Sequence, residues 1–355
     1  MLWDVFCRVI DNFGDIGMCW RLSADLAERG HTVRLWADDA SALAWMAPEP
    51  FRSPHIQVVH WDAGIQEPGD IVIEAFGCNP PDAFVARMQR PAPPVWINLE
   101  YLSAEPWVER CHGLRSPVMS GPGAGLSKWF FYPGFTQATG GLLRETGLMS
   151  ARQAWDIAAG GPRDPDVRTV SLFCYEPAPV GALLDALAAG GQPTQVLLTP
   201  GFATQLARQW QAVNPPSSTL TLQALAPVSQ REFDQLLWAC DLNLVRGEDS
   251  AVRALWAGQP HIWQIYPQDD GVHAGKLQAF MERWMAGWPQ DLAREVRELW
   301  LSWNGLQAHT ASDFQSLIRL LNDPRWPANS RASQQRLTEI PDLVTQLCGF
   351  VLDKR

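Results

Sequence analysis

Short apolar runs alternate with amphipathic helical patterns along most of this chain. In the first third, the strand-like runs occupy residues 3–10, 32–37, 57–60, 70–75 and 94–98. A second series of runs occupies residues 168–174, 194–198, 218–223, 241–245 and 260–265. Patterns with helical spacing separate the runs and fill the chain beyond residue 272, the last over 332–351. Strands that alternate with helices predict an α/β fold with parallel, doubly wound sheets.

The two alternating series predict two domains. At 355 residues the chain is long enough for two cores. Residues 160–165 are rich in Gly, Pro and Asp, which is typical of a linker. We therefore expect a Rossmann-like domain over 1–160 and a second one over 161–335. A final helical segment over 336–355 would pack back on the first domain.

An aromatic segment interrupts the first alternating series. Residues 113–141 are rich in Pro, Gly and aromatics, and 128–135 read KWFFYPGF. We interpret this segment as a loop. Two roles stay open for it at this stage, a hydrophobic patch under the edge of the sheet or a binding surface.

Composition and charge exclude several classes of protein. The net charge of −10 argues against a nucleic-acid binder, since neutralising phosphates needs clustered Lys and Arg. The sequence has no apolar run long enough to span a membrane, and its first residues do not resemble a signal peptide. Seven scattered cysteines indicate free thiols in a cytoplasmic protein, and seven dispersed histidines predict no metal cluster.

The loop after the first strand is the first candidate site. It contains Asp11, Asp15 and two glycines, and an amphipathic helical pattern follows. The first strand-to-helix turn of an open α/β sheet is a place where ligands bind, and carboxylates there are candidates for acid–base chemistry. An ordinary loop with Asp15 as the helix N-cap is the alternative.

A second candidate site follows the strand at 241–245. Residues 246–250 read RGEDS, and a helical pattern starts near residue 251. A glycine before a helix N-terminus leaves backbone N–H groups that bind anions such as diphosphate. Arg246 would add a cation, and Glu248 could accept hydrogen bonds from sugar hydroxyls. A simple capped helix, with Asp or Ser as the cap, is the alternative.

Two further side chains follow predicted strands of the second series. Gln230, at the start of a helical pattern, offers both a donor and an acceptor for the edge of a pyrimidine. Tyr175, just after the strand at 168–174, could border or stack on a base.

Together these segments resemble one family, the bacterial elongation factor P arginine rhamnosyltransferases, EarP. The resemblance covers almost the whole chain. It rests on DNFGDIG at 11–17, WINLEYLSAE at 96–105, FFYPGF at 130–135, LLWACDLN at 236–243, RGEDS at 246–250 and WQIYPQ at 263–268.

The resemblance implies a GT-B glycosyltransferase fold, two Rossmann-like domains facing across a cleft. The family moves L-rhamnose from dTDP-β-L-rhamnose to one arginine of elongation factor P, inverting the anomeric centre and activating the factor for translation of polyproline stretches. The implied catalytic residues are Asp15, Asp11 and Glu248. The implied donor-binding residues are Asn12, Phe13, Gly14, Asp15, Tyr175, Gln230, Arg246, Gly247, Glu248, Asp249 and Ser250. Where the family often has an aromatic before the Gln230 loop, this chain has Ala226 and Pro227.

The chemistry of the reaction agrees with these residue types. A guanidinium is a poor nucleophile because it stays protonated far above pH 7. A carboxylate must therefore orient it and take a proton as the C–N bond forms. We expect Asp15 to accept the proton and Asp11 to orient the guanidinium. Because N–H groups at 247–250 would stabilise the leaving diphosphate, we expect no metal and no cofactor.

Two alternatives stay open on the sequence alone. One is another GT-B enzyme, such as a nucleotide-sugar epimerase or a small-molecule glycosyltransferase. The other is a non-catalytic protein that binds a nucleotide-sugar.

Overall fold

The computed structural model describes residues 1–10, 13–48, 53–64, 66–158, 164, 166–268, 271–307 and 313–355. Asp11, Asn12 and most of the expected linker lie outside the described residues. The chain divides into two compact units, Met1–Gly147 together with Thr338–Arg355, and Leu148–Leu337. This division differs from the expected boundaries at 160 and 335, and it places the C-terminal segment in the first unit.

The first unit is built on a seven-stranded sheet. Its elements are β1 (Leu2–Cys7), α1 (Gly14–Glu28), β2 (Thr32–Ala37), α2 (Leu43–Met46), β3 (Ile56–His60), β4 (Ile71–Ala75), α3 (Asp82–Arg87), β5 (Val95–Leu99), α4 (Val108–Cys111), β6 (Arg115–Pro117) and β7 (Ser127–Phe131). The strand order is β3-β2-β1-β4-β5-β7-β6, and only β6 runs antiparallel to its neighbour. Apolar residues cover both faces of this sheet, as parallel strands require.

Part of the aromatic segment 113–141 is a strand, so its interpretation as a loop is wrong for 115–117 and 127–131 and holds for the rest. Lys128 to Phe131 lie in β7, which pairs with β5 and β6. The Phe131 side chain is fully buried, and the ring of Trp129 packs edge-on against Phe350, with 5.8 Å between ring centroids. Aromatic residues suit a pleated, half-buried surface. Phe131 and Trp129 therefore belong to a hydrophobic patch under the sheet, the first of the two roles considered for this segment.

The second unit is built on a five-stranded parallel sheet. Its elements are α5 (Leu148–Ala158), β8 (Arg168–Leu172), α6 (Val180–Ala189), β9 (Thr194–Leu198), α7 (Phe202–Val213), β10 (Leu220–Ala224), α8 (Gln230–Ala239), β11 (Leu242–Arg246), α9 (Glu248–Ala257), β12 (His261–Gln264), α10 (Val272–Trp284), α11 (Gln290–Trp303), α12 (Asp313–Leu321) and α13 (Arg325–Thr338), which ends in the first unit. The strand order is β10-β9-β8-β11-β12. Trp238, Trp256 and Trp284 are buried here.

The predicted helix over 332–351 is wrong, because the chain breaks it into α13 and a separate helix, α14 (Leu343–Lys354). Pro341 explains the break, since the residue before a proline avoids the helical conformation. Asp342 then caps α14 by accepting the Thr345 N–H at 2.8 Å. Leu343 and Leu347 of α14 belong to the core of the first unit.

In each unit, the first three strands extend to one side of the unit's first strand, and the fourth strand starts on its other side. In the first unit this change of side, the switch point, lies between β1 and β4, and in the second between β8 and β11. Open α/β sheets bind ligands beyond the carboxyl ends of the strands at such points. The two switch points are therefore the expected positions of ligand-binding sites.

Candidate active site

Asp15 lies in the first turn of α1, immediately after the β1 strand and its loop. The side chain is 6% exposed, and its Oδ2 accepts the Ile10 N–H at 2.8 Å. The residue at the N-cap of α1 is Phe13, so the alternative that Asp15 caps the helix is wrong. The N-terminus of a helix stabilises a carboxylate in its first turn. Asp15 is thus a nearly buried acid at a helix N-terminus, and the Ile10 N–H fixes the direction of its carboxylate.

Phe13 and Gly14 complete the described part of this loop. The Phe13 side chain is 45% exposed, and its ring meets Trp45 edge-on at 5.2 Å. Gly14 is the first residue of α1. The predictions for Asp11 and Asn12 fall outside the described residues.

A second group of residues faces the first switch point from the ends of β4 and β5. Phe76 follows β4 with a φ of 58°, a strained value for a bulky side chain. Its ring stacks on Tyr101 at 4.5 Å. Buried Asn98 accepts the Gly77 N–H at 3.2 Å and donates to Glu100 at 2.7 Å. A carboxylate beside stacked aromatic rings suits a guanidinium ion.

Sequence reasoning missed this group as part of a site. Asn98, Glu100 and Tyr101 all lie in the segment 96–105 that carries part of the family resemblance, which was the available signal. Phe76 had no signal, because its strain depends on backbone geometry alone.

In the second unit, three strand ends meet around Arg246. Its guanidinium lies 4.6 Å from the ring centroid of Phe173 and 4.5 Å from that of Tyr175. The Tyr175 N–H donates to Gln264 Oε1 at 2.8 Å, and the Gly247 N–H donates to the Gln264 carbonyl at 3.3 Å. The predicted residues Tyr175, Arg246 and Gly247 are therefore brought together at the second switch point.

The turn at 246–250 leads into the N-terminus of α9. Gly247 is the N-cap with a φ of 69°, a value that favours glycine, and Glu248 is the first helical residue. Within the described chain no side chain forms a cap hydrogen bond there, so the alternative of Asp249 or Ser250 as the cap is wrong. The first N–H groups of a helix have no intrahelical partner and attract anions. This turn therefore offers backbone donors and a nearby arginine.

Gln230 is held at the start of α8 by a capping box. Ser229 Oγ accepts the Glu232 N–H at 3.3 Å, and the Glu232 carboxylate accepts the Ser229 N–H at 2.8 Å. That hydrogen bond lowers the pKa of Glu232. The buried pair of Asp234 and Arg253, joined by two contacts of 2.8 Å, ties α8 to α9. The N-termini of α8 and α9, which carry Gln230 and Glu248, thus belong to two helices that this ion pair joins.

Over the described ranges, no group of three His, Cys, Asp or Glu side chains could hold a metal ion. Nor is any described helix long and apolar enough to cross a membrane.

The fold defines the class of protein first. One solved structure, glycosyltransferase VinC in complex with dTDP, matches with a TM-score of 0.56 at 12% identity and covers 100% of both chains. At that identity the match shows the fold alone. Both units here are Rossmann-like, and the fold is that of a GT-B glycosyltransferase.

The family follows from closer matches. The model of the family "Elongation-Factor P (EF-P) rhamnosyltransferase EarP" matches residues 3–352. A protein-arginine rhamnosyltransferase from Pseudomonas putida is 45% identical over 98% of both chains. A solved structure described as the structural basis for EarP-mediated arginine glycosylation of elongation factor EF-P is 31% identical, with a TM-score of 0.64, and covers 100% of this chain and 99% of that one. The chain belongs to the EarP family and is a glycosyltransferase.

Family membership confirms the resemblance stated above and decides against an epimerase or a non-catalytic binding protein. The roles of individual residues stay predictions.

Proposed function

We propose that this protein transfers L-rhamnose from dTDP-β-L-rhamnose to an arginine of elongation factor P, with inversion at the anomeric carbon. The observation that carries the proposal is the contrast in chemistry between the two switch points. One presents the carboxylate of Asp15, and the other presents the N-terminus of α9 with Arg246. Relatives named protein-arginine rhamnosyltransferase support the sugar and the acceptor.

The second unit would hold the donor. Backbone N–H groups at the start of α9 suit a diphosphate, and Glu248 suits a sugar hydroxyl. Tyr175 and Gln230 lie at the ends of the elements that flank this turn, where a thymine would meet an aromatic ring and an amide. Arg246, Gly247, Asp249 and Ser250 complete the proposed donor site.

The first unit would supply the acceptor chemistry. A guanidinium nitrogen attacks C1 of rhamnose, the bond from C1 to the diphosphate oxygen breaks, and dTDP leaves. The attacking nitrogen loses one proton to the Asp15 carboxylate, and the product guanidinium keeps its charge. Because backbone N–H groups stabilise the leaving diphosphate, the proposed step needs no metal or cofactor.

The acidic and aromatic group at the ends of β4 and β5 supports an arginine acceptor. Glu100 is oriented by Asn98, and its neighbour in the chain, Tyr101, stacks on Phe76. A carboxylate offers a guanidinium ion an opposite charge and directed hydrogen-bond acceptors. The faces of aromatic rings stack on the flat surfaces of the guanidinium. A small neutral sugar acceptor would gain little from this arrangement.

We place the reaction in the cytoplasm, because all seven cysteines are free thiols, as a reducing compartment favours.

Mass spectrometry tests the proposal directly. Purified protein, elongation factor P and dTDP-β-L-rhamnose should give a mass increase of one deoxyhexose on the acceptor protein. An acceptor with the target Arg replaced by Lys should not react, since lysine lacks the guanidinium plane. Replacing the donor by UDP-glucose is the second control. An unmodified acceptor in the complete mixture, or equal reaction of the lysine variant, would contradict the proposal.

A further inference from the structure

We infer that Asp38 is a positioning residue for this reaction, acting through the backbone that presents Asp15. The inference rests on the proposed role of Asp15 as the proton acceptor. Asp38 follows β2 directly and does not belong to the loop that it would position. Its carboxylate Oδ1 accepts the Val9 N–H at 2.9 Å, a contact between residues 29 positions apart in the chain.

Two consecutive backbone amides after β1 are each held by a carboxylate. The Val9 N–H binds Asp38, and the Ile10 N–H binds Asp15 Oδ2 at 2.8 Å. The Ile10 side chain is 73% exposed, so side-chain packing does not hold this peptide. Peptide planes are rigid, and only φ and ψ of Val9 separate the plane of its own N–H from the plane of the Ile10 N–H. Fixing the Val9 amide therefore narrows the directions in which the Ile10 N–H can point. Asp38 thereby helps to aim the N–H that fixes the Asp15 carboxylate.

Asp38 is itself firmly placed. Its neighbour Ala37 is paired with Cys7, the last residue of β1, so the carboxyl ends of β1 and β2 coincide. The backbone carbonyl of Asp38 lies 2.9 Å from His60 Nε2, at the end of β3. Asp38 Oδ1 also accepts the Asp39 N–H at 3.0 Å, which orients the carboxylate. A side chain held in this way can transmit its position to the loop.

Trp61, which follows β3, contacts the same segment one and two residues earlier. Trp61 Nε1 donates to the carbonyl of Cys7 at 3.1 Å, and the guanidinium of Arg8 lies 4.9 Å from a Trp61 ring centroid. Residues 7 and 8 therefore contact Trp61, whereas Val9 is held by its side chain, which packs against the core, and by the hydrogen bond from its N–H to Asp38. Removing that one carboxylate should loosen the path from Val9 to Asp15 and leave β1 in place.

Paired substitutions test the inference. Asp38→Ala removes the acceptor for the Val9 N–H, and we expect kcat to fall about 10- to 100-fold, the loss typical of one charge-assisted hydrogen bond. The affinity for dTDP should stay within about threefold, because the proposed nucleotide contacts, Tyr175, Gln230 and residues 246–250, lie in the second unit. Asp38→Asn keeps an amide oxygen in the same place and should restore kcat to within about fivefold of wild type.

The matched control is Asp39→Ala, which removes an exposed neighbouring carboxylate that accepts the Ser41 N–H at 2.8 Å. This variant should keep wild-type kcat. A wild-type kcat in Asp38→Ala would overturn the inference, and so would an Asp38→Asn variant as slow as Asp38→Ala. Equal losses in donor affinity and kcat would also overturn it.

Folding and the proposed function are separated by two more variants. If Asp38→Ala does not fold, Asp38→Glu moves the carboxylate by one methylene with its charge kept, and it should show the same loss of kcat; a normal kcat would overturn the inference. Asp15→Asn is assayed in parallel. Activity in Asp15→Asn would remove the proposed base, whereas an inactive Asp15→Asn with a fully active Asp38→Ala would remove only the role of Asp38.

Discussion

The two units share the strand order around their switch points and differ in which strand leads into the site: the site helix follows the first strand, β1, in one unit and the fourth strand, β11, in the other. In each, the strand order reverses beside the unit's first strand, at β1 in one sheet and β8 in the other. At the first switch point a carboxylate, Asp15, occupies the start of the following helix. At the second, the helix after β11 starts with a glycine N-cap and is accompanied by Arg246. The first turn of α1 thus holds one acid, whereas the first turn of α9 combines two acids, Glu248 and Asp249, with an arginine just before it.

This difference shows that the fold provides a position and the side chains decide its chemistry. A helix N-terminus favours a negative charge in either unit. Where the protein supplies the charge as Asp15, the position becomes a base held in a fixed direction. In the second unit, the glycine N-cap and Arg246 let the same effect serve a ligand phosphate, beside Glu248 and Asp249 of the first turn. The fold class could therefore not have told the two sites apart, and the residues could.

Burial shifts titratable groups in both units, and in the first it also lowers the pKa of His112. In the first unit, burial raises the pKa of Asp25 and of Glu74, and ion-pair partners only partly oppose the effect. In the second unit, burial lowers the pKa of His261 to about 4. Both shifts follow from the cost of a charge in a low dielectric. Their consequences for stability in acid have opposite signs.

The largest expected effect concerns the base. Asp15→Asn keeps the shape of the side chain and removes its basicity, so turnover should fall by about 100- to 10,000-fold, the range for general acid–base catalysis. Affinity for dTDP should change less than about tenfold, roughly 1.4 kcal/mol. Rates of acceptor modification and calorimetry with dTDP measure the two quantities. Near wild-type turnover would show that the comparison between the two helix N-termini assigns the base wrongly.

The second prediction is an acid sensitivity of the second unit. The folded-state pKa of His261 is about 4 and its ordinary value is 6.5, so between these pH values the unfolded chain binds the proton more readily. Stability is therefore lost as pH falls from 6.5 towards 4, by up to about 3 kcal/mol. The raised pKa values of Asp25 and Glu74 act in the other direction in the first unit, which gains stability as those carboxyls take up protons.

Hydrogen exchange, followed peptide by peptide at pH 7 and 4.5, measures the protection of backbone amides in each unit separately. The second unit should lose more protection at pH 4.5 than the first. The control is His261→Phe, because a ring of similar shape can pack against Trp284 and Trp300, which His261 meets edge-on at 5.0 and 5.3 Å. This variant should lose less protection in acid. Equal acid sensitivity in the variant and wild type would show that another group controls the response.

Much of the fold was predictable because strands buried on both faces leave continuous apolar runs. The strand β2, at Thr32–Ala37, lies where the pattern predicts it. The strand β7 was not recognised, since its aromatic residues are followed by Pro and Gly and suggest a loop. The break before α14 was missed, since the helical pattern on both sides of Pro341 outweighed the local effect of one proline.

The candidate site was predictable only where its residues form a continuous segment. Residues 246–250 could be recognised together because a strand, a glycine and a helix start follow one another in the chain. Asp38 and Asn98 could not, because their partners are set by which strands lie side by side. The contact of Asp38 with Val9 exists because β2 was placed next to β1, and one sequence does not reveal that order.

The smallest of the three effects tests whether the second switch point receives an anion with its sugar. Glu248→Ala removes the first side chain of α9. A hydrogen bond from the deoxyribose hydroxyl of dTDP to this carboxylate would contribute about 1.5–3 kcal/mol. The dissociation constant for dTDP should therefore rise about 10- to 150-fold, as calorimetry can measure. Glu248→Gln is the control, since its amide oxygen can still accept a hydrogen bond, and it should lose less affinity. If dTDP affinity is unchanged while turnover is lost, Glu248 acts in the transition state and not in holding the nucleotide. The second switch point would then share catalysis with the first, and the division between a unit that supplies the base and a unit that only binds would fail.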